Sequence, residues 1–343
     1  YVAAQGPLWA SGGDRGLYKT TDGGATWERV LHISDDTGIN EVLMDPRDPD
    51  VLYASAYQRR RHVWTLVNGG PETAIYKSTD GGATLRTLTS GLPKVDMGKI
   101  GMDISPVNPD VVYAVIEAQR DKGGFFRSTD RGESWEKMNT NNVRPFYYSQ
   151  VRVDPADPDR VYFSSTPVQF STDGGETYGT TTNGIHVDHH AMWMDPNDPE
   201  RLYYGSQRVY TTSDGADTWT PISGDLTDGD QGANYGTITT LAIAPSSTSR
   251  ILAGTDDQNI GAAVDFPDGD GPVVPQPIQG AAQHPFGFGG GLIAVMNDPG
   301  TGAVCQRRIR VQHQILTDTR AAWRSCCYRP IHWRRLAAGR RSR

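Results

Sequence analysis

Cysteine is nearly missing from this chain of 343 residues, and the three that occur, Cys305, Cys326 and Cys327, sit in its last forty. The body before them needs no disulfide framework, and the vicinal pair lacks the spacing of a zinc knuckle. No apolar run approaches the ~18–20 residues of a membrane-spanning helix, so no span of that kind is expected. Apolar residues do not recur at a period of 3.6, which excludes a helical solenoid. Residues 305–343 hold eleven arginines against the single acid Asp318, a formal +10, and of the chain's −7 this leaves −17 for residues 1–304. So acidic a body argues against nucleic-acid binding through it. Neither an initiator Met nor a charged-then-apolar leader opens the chain at Tyr1, so localisation is not legible at this end.

What is abundant is turn chemistry: 39 glycines and 22 prolines, the composition of an all-β repeat protein. One stretch recurs, as Tyr18-Lys19-Thr20-Thr21-Asp22-Gly23-Gly24, Tyr76-Lys77-Ser78-Thr79-Asp80-Gly81-Gly82, Ser128-Thr129-Asp130-Arg131-Gly132, Ser171-Thr172-Asp173-Gly174-Gly175 and, degraded, Thr212-Ser213-Asp214-Gly215-Ala216. Each copy reads as two strands joined by a tight turn. The Asp accepts bonds from N–H groups downstream, the glycines supply positive φ, and the Trp, Tyr or Leu that follows fills space between sheets. A residue repeated in this way has a structural role, so Asp22, Asp80, Asp130, Asp173 and Asp214 are assigned to the scaffold.

A second motif interleaves with the first: Asp45-Pro46-Arg47-Asp48-Pro49, Ser105-Pro106-Val107-Asn108-Pro109, Asp154-Pro155-Ala156-Asp157-Pro158 and Asp195-Pro196-Asn197-Asp198-Pro199. Two prolines three apart fix a corner between strands. Alternating corner and turn gives four strands per unit, and the turn aspartates stand 58, 50, 43 and 41 residues apart, near the ~40–50 residues of a propeller blade. The expected fold is an all-β β-propeller over residues 1–260. Tyr1–Val30 supply the last three strands of one blade, four full blades run from Ile39 to about Ile222, and Thr237–Thr255 begin another. Five blades and a part suit a ring of six, or a piece of a seven- to eight-bladed ring. Residues 261–343, first Gly- and Pro-rich and then Arg-rich, read as an irregular tail.

Corner and turn fall on one face of such a ring, which leaves the variable loops of the other face for function. His186-Val187-Asp188-His189-His190 is the densest group of chemistry-bearing residues there. His186, Asp188 and His190 would share one side of a strand, an arrangement open to metal binding, to acid/base work, or to hydrogen-bonded packing at the channel mouth. The spacing matches no metal motif, and the sequence assigns no metal, no cofactor and no oligomeric state. The insertion Tyr57–Thr73 places Arg59 and Arg61 with Trp64, suited to carboxylate or phosphate and to stacking. Arg144, Tyr147, Tyr148 and His189 join them as candidate ligand contacts. Hydrolysis of a glycoside would require two facing carboxylates, for which Asp36 and Asp188 are candidates.

The Ser/Thr-x-Asp-Gly-Gly-x-Thr-Trp stretch resembles the Asp-box, or bacterial neuraminidase, repeat. With Val187-Asp188-His189-His190-Ala191-Met192-Trp193 and the Asp-Pro corners, the chain is similar to bacterial proteins of glycosyl-hydrolase-like and sortilin-like type over Tyr1 to about Ala263. That resemblance implies a propeller of sialidase, xyloglucanase or sortilin-receptor type, secreted or periplasmic. The function it implies is a scaffold that binds a glycan or peptide on the loop face, or alternatively a glycoside hydrolase. The chain departs from the repeat at Leu85, Tyr178 and Ala216, and carries Ser206-Gln207-Arg208 where similar proteins carry Asn-Asp-Gly-Gly.

Overall fold

A computed structural model describes residues 1–222 apart from 120, 183, 184, 186, 188 and 207. It also describes the backbone of residues 238–244, 247–255, 262–265, 293–297 and 304–308. The first sheet has three strands, β1 (Val2–Ala4), β2 (Gly16–Lys19) and β3 (Glu28–Leu31). The second is built from β4 (Thr37–Asp45), β5 (Asp48–His62), β7 (Ile75–Ser78) and β8 (Arg86–Leu88), with β6 (Thr65–Asn68) paired to the far end of β5. Three four-stranded sheets follow. They are β9–β12 (Met97–Ile104, Val112–Ala118, Gly124–Ser128, Glu136–Asn139), β13–β16 (Val151–Val153, Val161–Phe163, Gln169–Ser171, Gly179–Thr180) and β17–β20 (Ala191–Asp195, Asp198–Gly205, Val209–Thr212, Thr220–Pro221). Then come the backbone of β21–β23 (Ile238–Ala244, Ser247–Thr255, Ala262–Asp265) and of the pair β24 (Ile293–Asn297) and β25 (Val304–Arg308).

Every strand pairing is antiparallel and, apart from β5 with β7 across the inserted β6, joins strands that follow one another along the chain, the meander of a propeller blade. First strands β4, β9 and β13 neighbour one another in turn, as do β17 and β21. The core lies between blades. Tyr53, Ile100, Met102, Val112, Phe126 and Trp135 fill one seam, and Tyr113, Phe125, Val151, Val161 and Phe163 the next. The all-β propeller reading and the four complete blades agree with this architecture. β23 adds a third strand to the last blade start, and β24–β25 form a hairpin within the stretch read as tail. The insertion after Tyr57 is a two-stranded ribbon rather than a loop, with Arg59 opposite Asn68 and His62 opposite Thr65.

The recurring turns share one hydrogen-bond pattern. In the second blade Asp80 Oδ1 accepts the Thr84 N–H at 2.8 Å and Oδ2 the Thr84 hydroxyl at 2.6 Å. The Ser78 hydroxyl oxygen accepts the Gly82 N–H at 2.9 Å while its own proton goes to Asp80 at 2.8 Å. The same set recurs around Asp22, Asp130, Asp173 and Asp214. Arg131 (φ 59) and Ala216 (φ 81) hold left-handed positions that glycines hold in the other copies. Trp135 closes its own turn by donating its indole N–H to the Gly132 carbonyl at 3.1 Å. Tyr178, in the corresponding place, is 46% exposed and lies edge-on to Phe163, so it does not fill the seam as a box Trp does.

Corner and turn meet on one face. The residue after each turn Asp donates its N–H to a corner carbonyl of the same blade: Gly81 to Asp50, Arg131 to Asp110, Gly174 to Asp159 and Gly215 to Glu200, at 2.9–3.0 Å. A seam bond then joins neighbouring blades. Tyr1 donates its hydroxyl to Gly81 O at 2.8 Å, Tyr53 to Arg131 O at 2.7 Å, Tyr113 to Pro158 O at 2.9 Å and Tyr162 to Gly215 O at 3.4 Å. Cations join them: Lys19 donates to Gly81 O at 2.8 Å, Lys77 to Arg131 O at 2.7 Å and Arg160 to Gly215 O at 3.1 Å.

Two outcomes follow for stability. Tyr113→Phe removes one seam hydroxyl and leaves the Pro158 carbonyl short of its donor. Chemical denaturation should show a loss of about 1 kcal/mol with an unchanged m-value. The bonds from Thr84 and Thr177 hold Asp80 and Asp173 down to about 2, below the ordinary 3.8. A depressed acid stabilises the fold above its unfolded value and loses that contribution as pH falls through its folded value. The melting temperature should therefore fall between pH 3.8 and about 2, and fall less in an Asp80→Asn, Asp173→Asn variant.

Candidate functional site

Opposite the corners and turns lie the loops between second and third strands and those that lead to the next blade. Two of them dominate. The first is the ribbon of β5 and β6, whose tip Val63-Trp64 stands clear of the body at 90% and 83% exposure. On β5 the side chains alternate, so Tyr57, Arg59 and Arg61 share one side. The Arg59 guanidinium lies 5.8 Å from the Tyr57 ring centre, and that of Arg61 6.0 Å from Trp9. Arg60 points the other way, to Asp36 at 3.4 Å, and Asp36 also accepts the Ser11 hydroxyl at 2.6 Å. The main-chain bond from Arg61 N–H to Leu8 O fastens the ribbon to the first blade, and that from Arg59 N–H to Asp36 O continues the pairing of β4 with β5. The cavity between ribbon and first blade, beside Arg59 and Tyr57, measures about 20 Å³, room for roughly one water.

The second is the stretch between β12 and β13. Arg144 takes φ 46 and Ser149 φ 38, two left-handed non-glycine residues bracketing Pro145-Phe146-Tyr147-Tyr148. Such backbone is held only where its surroundings fix it. Here Ser149 donates its hydroxyl to Pro145 O at 2.7 Å, and Asn141 N–H reaches Asn139 Oδ1 at 2.7 Å. A Cβ on Gly101 of β9 would come within 2.0 Å of the Ser149 carbonyl, so the loop lies flat against the third blade. Arg144 is exposed and stacks 4.7 Å from the Tyr147 ring centre, with Tyr148 at 5.9 Å. His190 closes the group, 4.4 Å from Tyr147 and 5.3 Å from Tyr148 between ring centres.

Lys99 of β9 joins the two regions. Its ammonium donates to the Tyr148 carbonyl at 2.9 Å, and burial lowers it to about 8, with Glu41 opposing and Arg59 adding to the shift. Below it the channel wall carries Glu41, Asp103 and Arg152, all half-buried. Burial raises Glu41 to about 7, against the pull of Arg152, and raises Asp103 as well. Each carboxylate is occupied by the next blade: Glu41 accepts the Met102 N–H at 2.7 Å, and Asp103 the Val153 N–H at 2.9 Å. First strands expose unpaired N–H groups toward the channel, and these two acids satisfy them.

The structure brings Arg144, Tyr147, Tyr148 and His190 together, with Arg59 and Arg61 on the neighbouring ribbon and Trp64 at its tip. His189 is fully buried, 3.2 Å from the Thr182 hydroxyl and edge-on to Tyr204. Tyr148 is likewise buried. His186 and Asp188 lie outside the described residues. Among the described residues, no group of three or more His, Cys, Asp or Glu is arranged to hold a metal, and no helix is long and apolar enough to cross a membrane. Trp9, Glu41, Lys99 and Glu117 escape the sequence reading. Only Trp9 carries a signal, a lone aromatic in Gly6-Pro7-Leu8-Trp9-Ala10-Ser11-Gly12-Gly13, where the first blade's loop corresponds to the ribbon of the second.

Glu41 generates a measurable outcome. A carboxyl raised in the folded state stabilises fully below its ordinary 4.5, and that contribution is lost as pH rises through about 7. Glu41→Gln should therefore melt close to the parent near pH 4.5, gain on it as pH rises to about 7, and hold that advantage without further increase above it.

The profile of the family described as "Sortilin, neurotensin receptor 3" matches residues 15–167. A xyloglucanase of Paenibacillus sp is 26% identical over 175 residues, covering 46% of this chain and 16% of that enzyme. Among solved structures, an ancestral GH74 enzyme superposes with a TM-score of 0.50 at 17% identity, over 78% of this chain and 37% of that one. YCF48 from Cyanidioschyzon merolae gives 0.44 at 13% identity over 75% of each chain. The chain thus spans well under half the length of the xyloglucanase and of the ancestral enzyme. With the blades and seams described above, the chain is a β-propeller protein that resembles the sortilin-like and glycosyl-hydrolase-like repeat proteins.

Proposed function

We propose that the chain is a propeller scaffold that binds a glycan on its variable-loop face. One observation carries the reading: large aromatic side chains stand exposed there beside guanidinium groups. Trp64 is 83% exposed, Trp9 48% and Phe146 40%, and a folded chain leaves such surface to water where a partner covers it. Flat ring faces flanked by hydrogen-bond donors suit a sugar better than they suit an apolar side chain, which would ask for a deeper pocket than this face offers. The partial likeness to a xyloglucanase, a protein named for a glycan, supports glycan over peptide. A secreted or periplasmic setting, implied by the resemblance, goes with such a role.

Glycoside hydrolysis is the alternative and needs two carboxylates across a bond. The acids that the channel brings together, Glu41 and Asp103, each accept a backbone N–H from the next blade, and Asp36 is paired with Arg60. Binding therefore stands first. Affinity electrophoresis through gels containing soluble plant and bacterial polysaccharides provides the test. At least one should retard the protein. Trp64→Ala and Trp9→Ala should each weaken that retardation by about threefold to tenfold, with the melting temperature unchanged. Retardation by no polysaccharide in the panel rejects glycan binding.

A further inference from the structure

The arginines of the two faces are treated differently. On the corner and turn face Arg47, Arg127, Arg131, Arg160 and Arg201 each pair with one or more carboxylates. On the loop face Arg59, Arg61 and Arg144 have no ion-pair partner among the described residues. They lie over the rings of Tyr57, Trp9 and Tyr147, as Arg127 and Arg160 of the other face lie over Tyr113 and Tyr162, and what sets them apart is the missing carboxylate. Three acids of that face are already engaged, while Asp35 stands exposed, 3.9 Å from His32. Asp36 holds Arg60, Glu72 accepts the Ser34 and Thr37 hydroxyls, and Glu117 accepts the Asn68 amide and the Lys99 N–H.

We infer that the ligand of the loop face is an acidic glycan, a uronate-bearing polysaccharide whose carboxylates dock on the guanidiniums of Arg59, Arg61 and Arg144. The inference rests on the glycan-binding reading above and names its substrate class. A guanidinium lying over a ring can offer its N–H edge as the fork that takes a carboxylate through two parallel bonds, although Arg59 already gives one N–H to Gln5 Oε1 at 3.4 Å. Arg144, 4.7 Å from the Tyr147 ring centre, is held in place before the ligand arrives, so less side-chain entropy is lost on binding. Arg144 is held further by its left-handed backbone, which the loop bonds maintain.

Lys99 links the ribbon arginines to the loop that carries Arg144. Arg59 and Arg61 are two residues apart on one side of β5, about 7 Å along the strand. Lys99, close enough to Arg59 to feel its charge, donates to the carbonyl of Tyr148, next to the ring that carries Arg144. Cations spread across neighbouring blades match a polymer with a carboxylate on each unit better than they match a single sugar. Exposed Trp9 and Trp64 beside the ribbon arginines offer ring faces near the charges, which favours a glycan chain over an acidic peptide.

The test uses the full chain with polygalacturonate, the same polymer methyl-esterified, xyloglucan and poly-L-glutamate, measured by affinity electrophoresis and calorimetry. Polygalacturonate should bind. Esterification, or a rise from about 50 to about 500 mM NaCl, should weaken binding roughly tenfold or more. Arg144→Gln and Arg61→Gln should each weaken it about fivefold to tenfold, with melting temperatures within a few degrees of the parent. Arg61 lies on the exposed ribbon, so its variant remains informative if Arg144→Gln disturbs its loop. Equal binding of the esterified polymer, or of xyloglucan alone, overturns the acidic-glycan inference and leaves the glycan reading standing. Binding of poly-L-glutamate with no glycan overturns both, as does no binding at all. Unchanged affinity for polygalacturonate in both arginine variants overturns the placement on these arginines.

Discussion

Three turns of this propeller end in a carbonyl that the preceding blade reaches, and at a fourth seam Tyr113 reaches the corner carbonyl of Pro158 instead. Tyr1 and Lys19 meet at Gly81, Tyr53 and Lys77 at Arg131, and Arg160 with Tyr162 at Gly215. A carbonyl drawn into a seam loses water and has to be satisfied within the protein. It is presented correctly only when its turn has the right shape, and the turn's shape is set by the aspartate that binds the Thr or Ser four residues on. The corner carbonyls of Asp50, Asp110, Asp159 and Glu200 then tie turn to corner. Local turn chemistry, blade closure and blade-to-blade packing are therefore a single constraint, and it recurs because each seam has to meet it.

That constraint divides the molecule into two faces with different freedoms. Corners and turns carry charges that the seams use, so Asp45, Asp154 and Asp195 are buried and their arginine neighbours are neutralised. Loops on the other face connect strands without touching a seam carbonyl. They can lengthen into a ribbon, as after Tyr57, or adopt left-handed residues, as at Arg144 and Ser149, without opening the ring. Surface left apolar or cationic there is not explained by folding, which is why ligand binding is argued from that face.

The blades were legible because their signals are local and repeated: a Pro pair for the corner, an Asp-Gly-Gly for the turn, alternating residues between. The tyrosines at 53, 113 and 162 were visible within the repeat, but their partners sit in the next blade, a distance no local pattern reports. The ribbon looked like a loop because Gln58-Arg59-Arg60-Arg61-His62 is polar on both sides, and a strand without a buried face has no period-2 signal. Glu41 and Lys99 had no signal either. Each is a single charge in a strand whose importance comes from the unpaired edge or carbonyl opposite it. Arg144 with Tyr147 and Tyr148 was legible because the cation and its rings are close in sequence.

The acidity of the chain sharpens the argument about the loop face. Residues 1–304 carry a formal excess of seventeen negative charges, so a guanidinium placed at random would meet a carboxylate readily. Arg59, Arg61 and Arg144 have aromatic rings instead, while Asp36, Glu72 and Glu117 nearby are bound by other groups. Keeping a cation apart from available anions forgoes ion-pair energy, modest at a surface and of order 1 kcal/mol. It also leaves the fork geometry open toward solvent. Three guanidiniums on one face without a carboxylate partner among the described residues suit the proposed acidic ligand, which would bring those carboxylates.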